Sequence, residues 1–244
     1  MKRVLLKISY DGTAYHGWQV QPNGITVQET LQNALEKMLG ERIGVTGCSR
    51  TDAGVHAREF YCHFDASESI PTTAFVAGLN CCLPYDISVL QASDVPCDFH
   101  ARYNAKGKRY IYIIDNAAVP DPFLRRYAHY VKTPLDTDKM NDFCSMIIGT
   151  HDFAAFSSIH RTVTDTVRTV SECFVTRDGD KVILSVTANG FLYNMVRIIT
   201  GTLVWVGEGR ITPEDVKDII EKKDRSFAGP TAPPQGLALN EIFY

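Results

Sequence analysis

The 244-residue chain has no apolar run that approaches a membrane span, and its first apolar stretch, after Lys2 and Arg3, stops at Lys7. A span needs about 18 apolar residues and a signal-peptide core about 7 or more, so neither a membrane protein nor an exported one is expected. There is no Cys-x-x-Cys pair, and the seven cysteines, at 48, 62, 81, 82, 97, 144 and 173, are odd in number. Both facts argue against a zinc ribbon and a disulfide framework and point to a reducing, cytoplasmic setting. Neither charge sign is in great excess. With 25 Lys and Arg against 28 Asp and Glu, the net charge of −3 excludes a globally basic nucleic-acid coat, but not a local basic groove. No low-complexity linker divides the chain.

What is present is enough for a large core. At roughly 150 residues per domain, the length corresponds to one large domain or two fused halves, and 45% of the residues are hydrophobic. Val4, Leu6, Ile8 and Tyr10 alternate with Arg3, Lys7 and Ser9, the period of a half-buried strand, which Asp11-Gly12 ends. Thr26 stands three residues before Glu29 and opens a run with Val27, Leu31, Leu35 and Leu39 at helical spacing, closed by Gly40. Phe60, Cys62 and Phe64 predict a second strand over about 55–65. A similar order recurs, with a strand over about 108–114 and then a helix over about 138–148 that carries Met140, Phe143 and Ile147. Asp178-Gly179 predicts a tight hairpin turn between two strands, with both residues at positive φ. Helices are expected over 191–205 and over 213–222, the second with Thr212 as cap and Pro213 at its first position.

The most unusual stretch is Gly47-Cys48-Ser49-Arg50-Thr51-Asp52-Ala53-Gly54-Val55-His56-Ala57. Small residues and glycines allow sharp turning and close approach of a ligand. Taken alone, the pattern fits either a turn capped by Asp52 or a pocket that Arg50 and Asp52 share.

The eight residues from Arg50 to Ala57 resemble the motif of pseudouridine synthases of the TruA type. The likeness extends through Tyr10 to Thr13, Tyr15 to Gln19, Phe99 to Arg102, Lys108 to Tyr112 and Gly149 to Phe153. It continues through Phe191 to Gly201, with Asn194-Met195-Val196-Arg197, and Ala232 to Leu237. Cys48-Ser49 departs from the family's more usual Ala-Gly, and both residues remain small.

The resemblance implies an α+β pseudouridine synthase fold, two ferredoxin- or RRM-like halves forming one extended, mostly antiparallel sheet flanked by helices, with the active-site cleft between them. The halves are expected at 1–104 and 105–244. It implies isomerisation of uridine to pseudouridine in RNA, at positions 38, 39 and 40 of the tRNA anticodon stem-loop, without cofactor or metal. Alternatives are the same chemistry on ribosomal RNA, and a non-catalytic RNA-binding module. By resemblance Asp52 is the essential carboxylate, either attacking C1′ or removing a sugar proton, and Arg197 is the cation that keeps it ionised. Tyr110 stacks on the displaced uracil, with acceptance of the C5 proton also open to it. Arg50 holds open the gap left by the flipped nucleotide, and Leu237 closes the pocket. Each also has an ordinary reading. Arg197 can be a helix arginine reaching water, Tyr110 and Leu237 can be core residues, and His56 is expected to pack the loop rather than act in catalysis. His151, Asp152 and His160 fit no strong ligand spacing. The resemblance further implies a homodimer spanned by one RNA. Residues 102–132 hold seven basic side chains against two acidic ones, a local charge of +5 suited to phosphate contacts.

Overall fold

The computed structural model describes residues 1–158 and 164–244. Along the chain the elements are β1 (Lys2–Tyr10), α1 (Val27–Leu39), β2 (Thr46–Gly47), β3 (His56–Ala66), α2 (Ala74–Cys82), β4 (Ile87–Val95) and β5 (Gly107–Asp115). They continue with β6 (His129–Tyr130), α3 (Thr137–Ile147), β7 (Gly149–Asp152), β8 (Val167–Asp178), β9 (Lys181–Ala188), α4 (Met195–Gly207), α5 (Asp215–Lys222) and β10 (Leu237–Phe243). This is an α+β chain, and it divides into two compact units. The first comprises residues 1–106 and 238–244, the second 107–237. The units are not consecutive stretches, as a division at 104/105 assumed, because the last seven residues return to the first.

In the first unit the strands run in the order β4, β1, β3, β10, with β2 paired to β3. β1 is antiparallel to both β3 and β4, and β10 joins β3 in parallel through Ala238–His56 and Leu239–Ala57. Val4, Leu6 and Ile8 are fully buried, as their alternation predicts. α1 begins where the Thr26 hydroxyl accepts from the Glu29 amide at 3.3 Å and stops at Gly40, whose φ of +78° is a left-handed cap. Its Val27, Leu31 and Leu35 face the core.

In the second unit β5, β9, β8 and β7 form an antiparallel sheet, and β6 pairs with β5 in parallel. Asp136 caps α3 by accepting from the Asp138 and Lys139 amides, and Met140, Phe143, Cys144 and Ile147 are buried. Three expectations are corrected. The hairpin between β8 and β9 turns through Gly179 and Asp180, because Asp178 still pairs with Lys181, and only Gly179 has positive φ. α4 starts at Met195, not near Phe191, because Asn194 sits in the left-handed region at φ 61°. α5 starts at Asp215, whose carboxylate reaches back to the Thr212 amide at 2.8 Å, so Thr212 and Pro213 form a lead-in turn. α4 is buried on nearly every side, and Gly201 lets the Pro230 carbonyl lie where a Cβ would stand, 1.8 Å away. Among the described residues no helix is long and apolar enough to cross a membrane.

Candidate active site

The loop that carries Arg50 and Asp52 joins β2 to β3. At its start the Cys48 amide donates to the Tyr61 carbonyl at 2.8 Å. At its end the Val55 amide donates to the Asp52 carbonyl at 3.1 Å, across a turn in which Gly54 takes φ +78°. The segment after β1 lies directly on this turn. A Cβ built at Gly12 would stand 2.0 Å from the Val55 carbonyl oxygen, and one at Gly17 2.3 Å from that of Thr51. No side chain fits at either position. Two backbone bonds cross the contact, Trp18 amide to Thr51 carbonyl at 3.2 Å and Gly54 amide to Tyr15 carbonyl at 3.1 Å. The Tyr10 and Thr51 hydroxyls add a buried bond of 2.9 Å. Buried Trp18 stacks on Phe60 with ring centres 4.2 Å apart. His56 is buried, and its Nδ1 accepts from the Gly12 amide at 3.0 Å and lies 3.1 Å from Asp11 Oδ1. This is the loop-packing role expected of it. Asp52 is thus half-buried on a turn held from both flanks, and Arg50 beside it is exposed.

The other nominated residues lie in the second unit or at its edge, and the structure ties several of them to residues 232–237. Tyr110 is buried on β5 opposite Val186, its ring edge-on to Phe191 at 5.0 Å. Two residues on, Tyr112 donates from its hydroxyl to the Pro233 carbonyl at 2.7 Å. Burial pushes this phenol above its ordinary range, while Arg197 pulls it the other way. A Cβ at Gly236 would stand 2.6 Å from the Tyr112 ring, so only glycine lets the chain cross there into Leu237, which is buried. Arg197, in the first turn of α4, donates from Nε to the Ala232 carbonyl at 2.7 Å and from Nη1 to Asn194 Oδ1 at 2.9 Å. The Ala232 amide returns a bond to the Arg197 carbonyl at 3.0 Å. Arg197, Tyr112 and Leu237 are therefore linked through one short segment. Tyr112 and Asn194 stand in motifs legible in the sequence, but these bonds are not legible there. Their partners are 121 and 3 residues away, and nothing in the spacing marks either bond.

Of the basic stretch, Arg125, Arg126 and Lys132 are exposed, while Arg109 is engaged by Glu172 at 2.7 Å and Thr187 at 3.1 Å. Among the described residues no group of three or more His, Cys, Asp or Glu is placed to hold a metal. His151 Nε2 pairs with the Ile148 carbonyl at 3.0 Å, and Asp152 is taken by Thr166, Ala154 and Lys223. His160 lies outside the described residues.

The family described as tRNA pseudouridine synthase matches residues 7–104 and 143–244. The chain is 48% identical to tRNA pseudouridine synthase A of Thermoanaerobacter sp. (strain X514) over 244 residues, covering all of both chains. It is 43% identical to tRNA pseudouridine synthase A 2 of Clostridium perfringens (strain 13 / Type A), again over the full length of both. With tRNA pseudouridine synthase A of Halalkalibacterium halodurans it shares 48% over 238 residues, 97% of this chain and 90% of that one. A far weaker likeness, TM-score 0.36 at 12% identity over 92% of this chain and 60% of the other, is seen with a chain of the archaeal box H/ACA sRNP Nop10-Cbf5 complex. On its full-length identity to these relatives and the family match over both parts, the chain belongs to the tRNA pseudouridine synthase family.

Proposed function

We propose that this chain, as an isomerase of its family, converts uridine to pseudouridine at positions 38, 39 and 40 of the tRNA anticodon stem-loop, with Asp52 as the essential carboxylate. In the reaction the N1–C1′ bond breaks, the uracil turns and a C5–C1′ bond forms. C5 loses a proton and N1 gains one, so the atoms and electrons of substrate and product balance. Uracil carries its own negative charge over two carbonyls, so the second acid that glycoside hydrolysis needs is not required. Asp52 acts at the ribose, Arg50 holds the flipped nucleotide out of its stem, and Tyr110, Arg197 and Leu237 bind the base and sugar. A uracil kept enclosed returns in an effectively unimolecular step, an advantage on the order of 7 kcal/mol when well positioned. The enzyme works as a homodimer in the cytoplasm, and sedimentation velocity at twice the chain mass checks that part.

The observation that supports the reading most is the seat of Asp52, a half-buried carboxylate on a turn whose two flanks are pinned by Gly12 and Gly17. A mobile acid would forfeit the positioning on which such chemistry depends. The test is Asp52→Asn, read by tritium release from tRNA labelled at uracil C5 and by a filter-binding assay. Release is expected to fall by at least about 1,000-fold while binding changes by about twofold or less. Wild-type release would remove the assignment. Mapping pseudouridine in cellular RNA with and without the protein tests the positions, and loss at ribosomal sites alone would move the substrate to ribosomal RNA.

A further inference from the structure

We propose that Asn194 is a positioning residue that holds the Arg197 guanidinium ready for the substrate, and that the irregular start of α4 exists for this purpose. The inference rests on the assignment of Arg197 to the substrate site.

Asn194 stands where a helix ordinarily has an extended residue whose side chain caps the first amides. Here it has φ 61° and ψ 8°, and its side chain makes no cap bond. The lost cap and the left-handed backbone of a non-glycine residue both cost stability. No acid lies in the first turn to meet the positive end of the helix; Arg197 is there instead. All three features weaken the helix locally, and the guanidinium gains an acceptor from the side chain that no longer caps.

The amide has a single workable orientation. Arginine has only donors, so Oδ1 must face Arg197 Nη1, 2.9 Å away, which leaves Nδ2 for Ser158 Oγ at 2.7 Å. Ser158 is itself fixed, its amide donating to the Tyr193 carbonyl at 3.1 Å. With Nε on the Ala232 carbonyl at 2.7 Å, the planar guanidinium is held along two edges and cannot rotate about its last bond without breaking one of them. Asn194 thus fixes the direction of the cation, and Ser158 fixes Asn194.

The test uses the full-length protein and single-turnover tritium release from labelled tRNA, with tRNA affinity and thermal melting measured alongside. Asn194→Gly keeps the left-handed backbone and removes the amide. It is expected to slow turnover by about 10- to 100-fold with affinity changed by about twofold or less and an unchanged melt. Ser158→Ala removes only the outer anchor and is expected to slow turnover about threefold, again with affinity kept. Combined with Arg197→Met, Asn194→Gly is expected to add no further loss, since it acts through the group already removed. Additive losses, affinity falling in step with rate, or wild-type turnover in Asn194→Gly overturns the proposal. Wild-type turnover in Arg197→Met overturns the Arg197 assignment as well, whereas a disabled Arg197→Met beside a fully active Asn194→Gly overturns this inference alone.

Discussion

Gly17 and Gly40 share a backbone conformation, φ +82° and +78°, and differ in their surroundings. A Cβ at Gly17 meets the Thr51 carbonyl oxygen at 2.3 Å and the Asp52 carbonyl carbon at 3.1 Å, whereas a Cβ at Gly40 meets nothing within 4 Å. Replacing each by alanine separates strain from contact. Gly40→Ala is expected to cost about 1 kcal/mol of stability and leave turnover unchanged. Gly17→Ala carries the same strain and also pushes the Asp52 turn aside, so turnover is expected to fall by about 100-fold or more. Urea unfolding and tritium release on the two variants check the contrast, and equal turnover would mean that the turn tolerates displacement. His63 makes a second point at this scale. It is buried on β3, and its Nδ1 accepts from the Ala101 amide at 3.2 Å, a bond that needs the neutral ring. Burial, with Arg3 and His100 adding to it, pushes its pKa down to about 4 from the ordinary 6.5. Below 6.5 the unfolded chain binds a proton that the folded chain refuses. The neutral ring's contribution is therefore complete above about 6.5 and is lost as pH falls towards 4, by roughly 1–3 kcal/mol. The urea midpoint should drop between pH 7 and pH 4.5, and drop less in His63→Gln, which keeps an acceptor without the titration.

Among the elements, α1 shows how much a cap contributes. Thr26 is fully buried and supplies its hydroxyl to the Glu29 amide, so Thr26→Ala is expected to lower stability by about 1 kcal/mol, measured as a shift in urea midpoint at constant slope. The same residues made α1 readable in advance, because cap, apolar stripe and terminal glycine agree. α2 offered no such agreement. Thr73 makes no cap bond, and Ala74 to Cys82 contains no charged residue to mark a solvent face. β4 alternates only at its start, β7 has four residues, and β10 finds its parallel partner on a strand about 180 positions earlier, so periodicity could not reveal them. The misplaced start of α4 has a single cause, since the apolar pattern runs on from Phe191 while Asn194 breaks the helix at positive φ. In the site, the Arg50 to His56 loop stood out by composition. The bonds from Tyr112 to Pro233 and from Asn194 to Ser158 did not, because each joins segments that only folding brings together.

For the molecule as a whole, the return of residues 238–244 to the first unit is the feature with the widest consequence. These residues pair with β3 at His56 and Ala57, just beyond the Asp52 turn, and Leu239 and Ile242 are buried there. The Phe243 carbonyl accepts from the Lys106 amide at 2.8 Å, and the Tyr244 hydroxyl donates to the Ala101 carbonyl at 2.8 Å. The Tyr244 ring packs edge-on to Tyr61 at 5.4 Å, and burial there pushes its phenol above the ordinary range. The unit that carries the carboxylate is therefore incomplete until the last residues of the chain arrive. Removing a single buried leucine costs about 2–5 kcal/mol, against a total of about 5–15 kcal/mol for a domain. A chain stopped after Leu237 is expected to lose most of the cooperative stability of its first unit while residues 107–237 keep theirs. Hydrogen exchange read by peptide is the measurement. In the shortened chain the amides of β1 and β3 should exchange by at least about 100-fold faster, with those of β5, β8 and β9 still protected. Equal protection of β1 and β3 in both chains would make the returning strand an appendage that adds nothing to the rigidity of the Asp52 turn.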